Sequence, residues 1–368
     1  MRAVFLLLAA LSILGIGYVF YGRVIASLFG MAPHRLTPAK EKYDGVDYVP
    51  APNWMVLFGH HFSSIAGAGP IIGPVIGCIY WGWLPSLLWV VLGTILIGGV
   101  HDFVVLMMSV REGGRSIAEI ATDCVSKKAR IIFSIFIWFA LILVVAVFAD
   151  LCAKTFVTEA KTVIPSLGLI PVAVLVGFLL YVKKADLILV TFLGLALLVG
   201  LLFFGEAFPV MIGPHAGTIW MVVLLAYSFI ASVLPVNILL QPRDYLCGYL
   251  LIFGTMAGII GLLVTRPVLV QPAFLGWRSA EQGMLWPMMC VAIACGAISG
   301  FHALIASGTT SKQLATESHA QRIGYGAMVV EALVAVLAIL AVTSGISKTG
   351  RELCVLLADA GPICVYGT

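Results

Sequence analysis

Long apolar runs alternate with short polar stretches along almost the whole chain. A helix that crosses a bilayer needs about 20 predominantly apolar residues, and most of these runs reach that length. A last apolar run, 353–368, stops before it could cross. The pattern predicts an all-α protein with ten membrane spans, at residues 3–28, 54–83, 84–108, 131–156, 169–182, 187–204, 219–240, 245–264, 284–305 and 323–342.

The span 54–83 contains a stretch that suits a continuous helix poorly, FGHHFSSIAGAGPIIGP at 58–74. Its glycines weaken a helix, and Pro70 and Pro74 each remove a backbone donor and clash with the preceding turn. In lipid, such a break is tolerated where the freed N–H and C=O groups meet protein or water. We therefore predict that residues 59–70 are not continuously helical and that His60 and His61 lie near a cavity. The alternative is a simple kink that lets helices pack closely.

The composition places the chain among polytopic membrane proteins. Hydrophobic residues make up 61% of it and charged residues 10%. In soluble domains, apolar residues make up roughly 45–50% and charged residues about 25%. The first apolar run has no basic region before it beyond Arg2 and no convincing cleavage site, so it predicts a membrane helix instead of a signal peptide. We expect a multi-pass membrane protein that binds no nucleic acid.

The eight cysteines form no CxxC pair, and most lie in apolar runs. This pattern is typical of small buried hydrophobic residues. Cys290 and Cys295 are five positions apart and therefore lie on different faces of a helix. We expect no shared metal at this pair.

The net charge of +4 matters through its distribution. Most of the 21 Lys and Arg residues fall in alternate loops, which the positive-inside rule assigns to the cytoplasm, with the N-terminus outside. One of these loops, 111–130, is too polar to span the membrane. Its Ser116 and Glu119 form a capping box, which predicts a short helix along the membrane interface.

Few ionisable residues lie inside the apolar runs: His101, Asp102, Asp150, Lys154, His302 and Glu331. Such groups are costly in lipid and mark transport pathways or paired networks. Asp150 and Lys154 are four residues apart on one helix face and can neutralise each other. Glu331 is expected near the interface, where water can solvate it. Asp102 and His302 are predicted deeper in the bilayer and are the better functional candidates.

A second interrupted run, 219–240 with Pro235, begins five spans after the first. Interrupted helices at matching positions of two halves indicate a transporter with inverted repeats. This interpretation divides the chain into an extra N-terminal helix and cytoplasmic loop at 1–53, a first repeat at 54–206, and an incomplete second repeat at 207–368.

Four long motifs resemble the carbon starvation protein A (CstA) family of membrane transporters. They are FGHHFSSIAGAGPIIGP at 58–74, HDFVVLMMSVREGGRSIAEIA at 101–121, ASVLPVNILLQPRDYL at 231–246 and SGFHALIASGTTSKQLATESHAQRIGYGAM at 299–328. His101 stands where an uncharged polar residue is more usual in the family. Family members also continue well past residue 368.

The resemblance implies the LeuT-like five-plus-five fold of the amino acid–polyamine–organocation superfamily. It places the substrate between the first and sixth core helices, here 54–83 and 219–240, and a cation near the eighth, here 284–305. The implied substrate-binding residues are His60, His61, Ser63, Ser64, Ala66, Gly67, Ala68, Gly69, Pro235 and Asn237. The implied coupling residues are His61, His60, Asp102, Ser299, His302, Ser307, Thr309 and Thr310.

The function expected from this resemblance is import of a small organic acid such as pyruvate, or of short peptides. Coupling to protons is favoured over sodium, and no cofactor or metal is expected. Two other classes stay open at this point. One is an intramembrane enzyme or metal site, although no HExxH, GxSxG or phosphate-binding loop is present. The other is a truncated homologue that acts as a receptor or is inactive.

Overall fold

A computed structural model of the protein describes residues 2–124 and 126–345. Its main helices are Ala3–Leu28 (α1), Trp54–Ile65 (α2), Gly69–Trp81 (α3), Trp83–Arg111 (α4), Ile117–Cys124 (α5), Lys127–Thr158 (α6), Ala160–Val182 (α7), Leu187–Ala207 (α8), Ala216–Val233 (α9), Leu240–Thr265 (α10), Cys295–Ile298 (α11), Phe301–Gly308 (α12) and Ala320–Gly345 (α13). Shorter helical turns lie at Pro38–Glu41, Leu285–Met289, Cys290–Ala292, Thr310–Lys312 and Glu317–His319. Two short antiparallel strands, Arg278–Ser279 (β1) and Gly283–Met284 (β2), precede Leu285. The predicted run at 353–368, with Cys354 and Cys364, lies outside the described residues.

The helices have the length and apolar composition of membrane spans. Among the described residues, eight helices could each cross a bilayer, and the bent pair α2 and α3 would make a ninth. Helix α6 leaves large apolar side chains such as Phe136 and Trp138 mostly exposed. A surface of this kind suits contact with lipid. The prediction of an all-α, multi-pass membrane protein is confirmed.

The predicted break in the second span is present. Helix α2 ends at Ile65 and α3 begins at Gly69, with a bend of 43° between them. Ala66 has φ −81° and ψ 62°, outside the helical region. Pro70 lies in the first turn of α3, where its missing N–H is tolerated. The prediction that residues 59–70 are not continuously helical is confirmed.

The predicted span 284–305 is a second broken helix, so its expected regularity was wrong. Helix α11 ends at Ile298, Ser299 adopts ψ 121°, and α12 begins at Phe301. The two broken segments pack against each other. A β-carbon at Gly296 would lie 3.3 Å from Cα of Pro70, so this close approach between α11 and α3 favours glycine.

The predicted span 219–240 ends earlier than expected. Helix α9 stops at Val233, and Leu234 is extended with ψ 145°, as expected for a residue before proline. Gln241 to Asp244 then form the first turn of α10. The interruption at Pro235 is therefore the end of one helix, and the polar residues after it begin the next.

Helix α4 contains a π-helical turn, Thr94–Gly98, next to the pair Gly98 and Gly99. A π turn leaves backbone groups without their usual helical partners. The carbonyl of Ile95 accepts a hydrogen bond from the Tyr325 hydroxyl at 2.8 Å. This bond fixes α4 to α13.

Loops that the charge pattern assigns to one side contact one another. The ammonium of Lys42 donates to the Gly113 carbonyl at 2.8 Å, and Arg35 pairs with Glu317 at 3.1 Å. At the other end, the Leu84 N–H donates to the Ala273 carbonyl at 3.0 Å. The alternation of sides is therefore consistent with the sequence, and which side faces the cytoplasm stays a prediction.

The capping box at the start of α5 is confirmed. The N–H of Ser116 donates to Glu119 Oε2 at 3.0 Å, and the N–H of Glu119 donates back to Ser116 Oγ at 3.4 Å. Ile120 on the apolar face is buried. The cap ends the turn that leaves α4 and sets the start of this short helix.

Candidate functional site: the broken helix and its buried histidines

The break between α2 and α3 frees backbone donors in the protein interior. In the described part of the chain, the N–H groups of Ala68 and Gly69 donate to no backbone carbonyl. Ala66 is buried, while Gly67 and Ala68 are half-buried. Gly69 lies against Cys295, since a β-carbon at Gly69 would be 2.6 Å from its sulfur. The free amides therefore lie at the N-terminus of α3, where the helix dipole favours negative charge.

His60 on α2 is held by two side chains, Asp244 and Thr309. Its Nδ1 lies 3.0 Å from Asp244 Oδ2, and its Nε2 lies 3.3 Å from Thr309 Oγ1. Ser64 donates to the same Asp244 oxygen at 3.2 Å. The imidazole is fully buried. This cluster joins α2 to α10 and to the segment that follows α12.

His61 points to a different partner, as adjacent residues on a helix must. Its Nδ1 lies 2.9 Å from Thr310 Oγ1. Its Nε2 is buried and has no hydrogen-bond partner among the described residues. One ring nitrogen of His61 is thus free to exchange a proton or to meet a ligand.

A separate buried cluster lies between α4, α12 and α13. Asp102 accepts from two imidazoles, with Oδ2 at 2.8 Å from His302 Nδ1 and Oδ1 at 2.9 Å from His101 Nδ1. His302 Nε2 lies 3.3 Å from Glu331 Oε2. Asp102, His302 and Glu331 are all fully buried. Glu331 was expected to be solvated near the interface, and that expectation was wrong because α13 packs this face inside the bundle.

The other expected coupling residues surround these two clusters. Ser299 and Ser307 are buried, and the Ser307 hydroxyl accepts the Ile117 N–H at 3.2 Å. Thr309 and Thr310 bond the two histidines as described. The structure therefore brings this set together around the two breaks.

Two expected substrate residues lie elsewhere. Residues 234–239 pack against the N-terminal loop, where the Val236 N–H donates to the Val46 carbonyl at 3.1 Å. The Asn237 carbonyl lies so close to Gly177 that a β-carbon there would be 2.9 Å away. Pro235 and Asn237 thus belong to a contact with the Val46 loop and with α7, and their substrate role stays a prediction.

A cavity of about 460 Å³ lies between α1, α2, α10 and α13. It is lined mostly by apolar side chains and includes Phe58 and Gly59, about two turns before the break. His60 and His61 do not line this cavity; both are packed among polar side chains. The two histidines were expected near a cavity, and they do not line this cavity.

The sequence did not identify Asp244 as a site residue, nor the residues that surround Cys295. Asp244 follows Pro242 and Arg243, so it resembles a polar residue that closes a span. Cys295 was treated as a small hydrophobic residue, yet it lies beside His302 and Glu331. The pairing of Asp150 with Lys154 was predicted correctly, with 2.9 Å between their charged atoms.

Comparison with known sequences decides the family. A family described as Carbon starvation protein CstA matches residues 2–351. The chain belongs to the CstA family. Its motifs now have places in the fold, because 58–74 forms the first break and 299–328 forms the second break and the start of α13.

Several curated CstA relatives are about equally similar to this chain. The Campylobacter jejuni protein named "Peptide transporter CstA" is 37% identical over 92% of this chain and 50% of its own length. The Bacillus subtilis protein of the same name is 37% identical over 94% of this chain and 58% of its own length. The Escherichia coli protein named "Pyruvate/proton symporter BtsT" is 37% identical over 92% of this chain and 49% of its own length. The chain spans about half the length of these relatives, and no solved structure matches it.

Proposed function

We propose that this chain is a secondary active transporter that imports a small carboxylate, pyruvate or a short peptide, together with protons. The observation that carries the proposal is the break between α2 and α3, which has free amides at Ala68 and Gly69 and buried histidines one turn away. The names of the relatives, peptide transporter and pyruvate/proton symporter, support the same class. A cytoplasmic membrane of a bacterium is the setting that fits this activity.

The substrate carboxylate would bind at the N-terminus of α3. Free N–H groups and the helix dipole form an anion site there without a dedicated arginine. Ser63 and Ser64 lie at the end of α2 and can hydrogen-bond the rest of a polar substrate. Because Gly69 is packed on Cys295, the substrate would enter when α11 moves away from α3. Such alternation of a closed and an open break is the core of alternating access.

The arrangement also supports an inverted repeat of the LeuT-like kind, in which the second repeat starts later than the sequence suggested. The two broken segments pair in an antiparallel way. Gly296, in α11 before the second break, lies against Pro70, in α3 after the first break. Thr309, which follows α12, contacts His60 in α2, before the first break. The helices that follow, α4 and α13, also pack on each other. We therefore place the start of the second repeat near residue 285, and assign 219–240 to a connection between repeats.

Proton coupling is assigned first to His61 and then to His60. Imidazole can take up and release a proton, and His61 has a ring nitrogen with no partner among the described residues. Asp102 is a weaker candidate than the sequence suggested, since both its oxygens are already bonded to imidazoles.

Uptake by proteoliposomes containing the purified chain tests the transport proposal. Labelled pyruvate and a labelled dipeptide would be offered in parallel, under an inward proton gradient or an inward sodium gradient. Accumulation of one of them that needs the proton gradient is expected. Absence of uptake of both substrates under both gradients would overturn the proposal and favour a receptor or an inactive homologue.

A further inference from the structure

The buried cluster between α11, α12 and α13 has three side chains whose ligand atoms converge. The sulfur of Cys295, an imidazole nitrogen of His302 and a carboxylate oxygen of Glu331 all lie within 4.8 Å of one another. His302 and Glu331 are fully buried, and Cys295 is half-buried. The transport proposal uses none of these three residues to bind substrate.

These atoms are poorly partnered for buried polar groups. Glu331 Oε1 has no hydrogen-bond partner within the described residues. Glu331 Oε2 and His302 Nε2 lie 3.3 Å apart, close enough for an ion-pair contact, but neither makes a hydrogen bond within the described residues. A buried carboxylate without hydrogen bonds is costly unless a cation compensates its charge. His302 alone offers poor compensation, because its other nitrogen already faces the carboxylate of Asp102 at 2.8 Å.

We propose that Cys295, His302 and Glu331 bind a zinc ion. Thiolate, imidazole and carboxylate are the three ligand types that zinc accepts in proteins. Bond lengths of about 2.0–2.3 Å and a tetrahedral angle place neighbouring ligand atoms about 3.3–3.7 Å apart. The 3.3 Å between His302 Nε2 and Glu331 Oε2 meets that spacing. The Cys295 sulfur would have to move toward the other two ligand atoms by at most about 1 Å. A second Glu331 oxygen or a water would be the fourth zinc ligand.

Asp102 acts as a positioning residue in this site. A metal-bound histidine usually donates its other N–H to a carboxylate, which fixes the tautomer and strengthens the ligand. The Asp102 oxygen 2.8 Å from His302 Nδ1 is placed for that contact, and it leaves Nε2 as the metal-binding nitrogen. The ion would tie α11 and α12 to α13 directly beside the first break, because Cys295 also contacts Gly69.

Equilibrium dialysis of the untagged, purified full chain against zinc, followed by metal analysis, tests this proposal. About one zinc per chain is expected, and Cys295→Ser, His302→Gln and Glu331→Gln should each lose it. Asp102→Asn should weaken zinc binding about 10- to 100-fold. Cys290→Ser is the matched control, because this buried cysteine of the same segment is outside the three-residue set, and it should retain the zinc.

Cobalt substitution gives a readout on the wild-type chain that does not depend on whether the variants fold. A bound cobalt ion with a thiolate ligand shows a sulfur-to-metal charge-transfer band in the near ultraviolet. That band should be present in the wild-type chain and in Cys290→Ser. Failure of the wild-type chain to bind metal, or cobalt binding without the thiolate band, would overturn the assignment. Transport is measured separately by uptake, so the zinc proposal and the transport proposal can each fail without the other.

Discussion

His60 on α2 and Asp244 on α10 form a buried hydrogen-bond contact, with 3.0 Å between Nδ1 and Oδ2. They are 184 positions apart in the chain, and the contact is possible because Gly59 and Gly248 let the two helices approach closely. A β-carbon on Gly248 would lie 2.8 Å from Cα of Gly59. Ser64 completes the cluster from the same helix as His60. The end of α2 is therefore fixed to α10 just before the break begins.

Replacement of Asp244 by Asn should destabilise the protein. The change removes the charge that faces His60, and hydrogen bonds to charged groups contribute about 1.5–3 kcal/mol each. We expect the free energy of unfolding in mixed micelles, measured by SDS titration, to fall by about 2 kcal/mol. Asp150→Asn is the control because its pair with Lys154 is half-exposed, and it should change the value by less than about 1 kcal/mol. Equal effects of the two changes would contradict the role given to Asp244.

The close packing of the two broken helices predicts that glycine is required at position 73. A β-carbon there would lie 2.4 Å from the carbonyl oxygen of Ala292, a backbone atom that cannot rotate away. Gly73→Ala should therefore lower stability by about 1–3 kcal/mol, as overpacking does. Gly254 in α10 has open space around it, so Gly254→Ala should be neutral or stabilise by up to about 1 kcal/mol. Thermal unfolding of both variants in detergent checks this; a tolerated Gly73→Ala would show that the broken helices are not packed this way.

The orientation in the membrane can be tested by cysteine labelling in a background with reduced cysteine content. Ser126 precedes α6 and Met211 follows α8, and both are exposed. The charge pattern places Ser126 in the cytoplasm and Met211 outside. A membrane-impermeant maleimide should label Met211→Cys in intact cells and Ser126→Cys only in inverted vesicles. The reverse result would show that the orientation is inverted.

Sequence reasoning located the first break because glycine and proline act locally on a helix. It failed at the second break, 295–308, where the glycines are fewer and the distortion depends on contact with α3. It also misjudged Glu331 and Asp244. Whether a carboxylate near the end of an apolar run meets water or protein depends on which helices surround it. That information lies in long-range packing, so periodicity and composition could not provide it.

Coupling of substrate to protons at the break beside His60 and His61 is tested most directly by comparing two activities of His61→Gln and His60→Gln. Glutamine keeps a neutral polar side chain and removes the imidazole that can take up a proton. Each variant in proteoliposomes would be assayed for accumulation driven by a proton gradient and for exchange of substrate without a gradient. We expect His61→Gln to lose accumulation and to retain exchange. Undiminished gradient-driven accumulation in both variants would contradict this expectation.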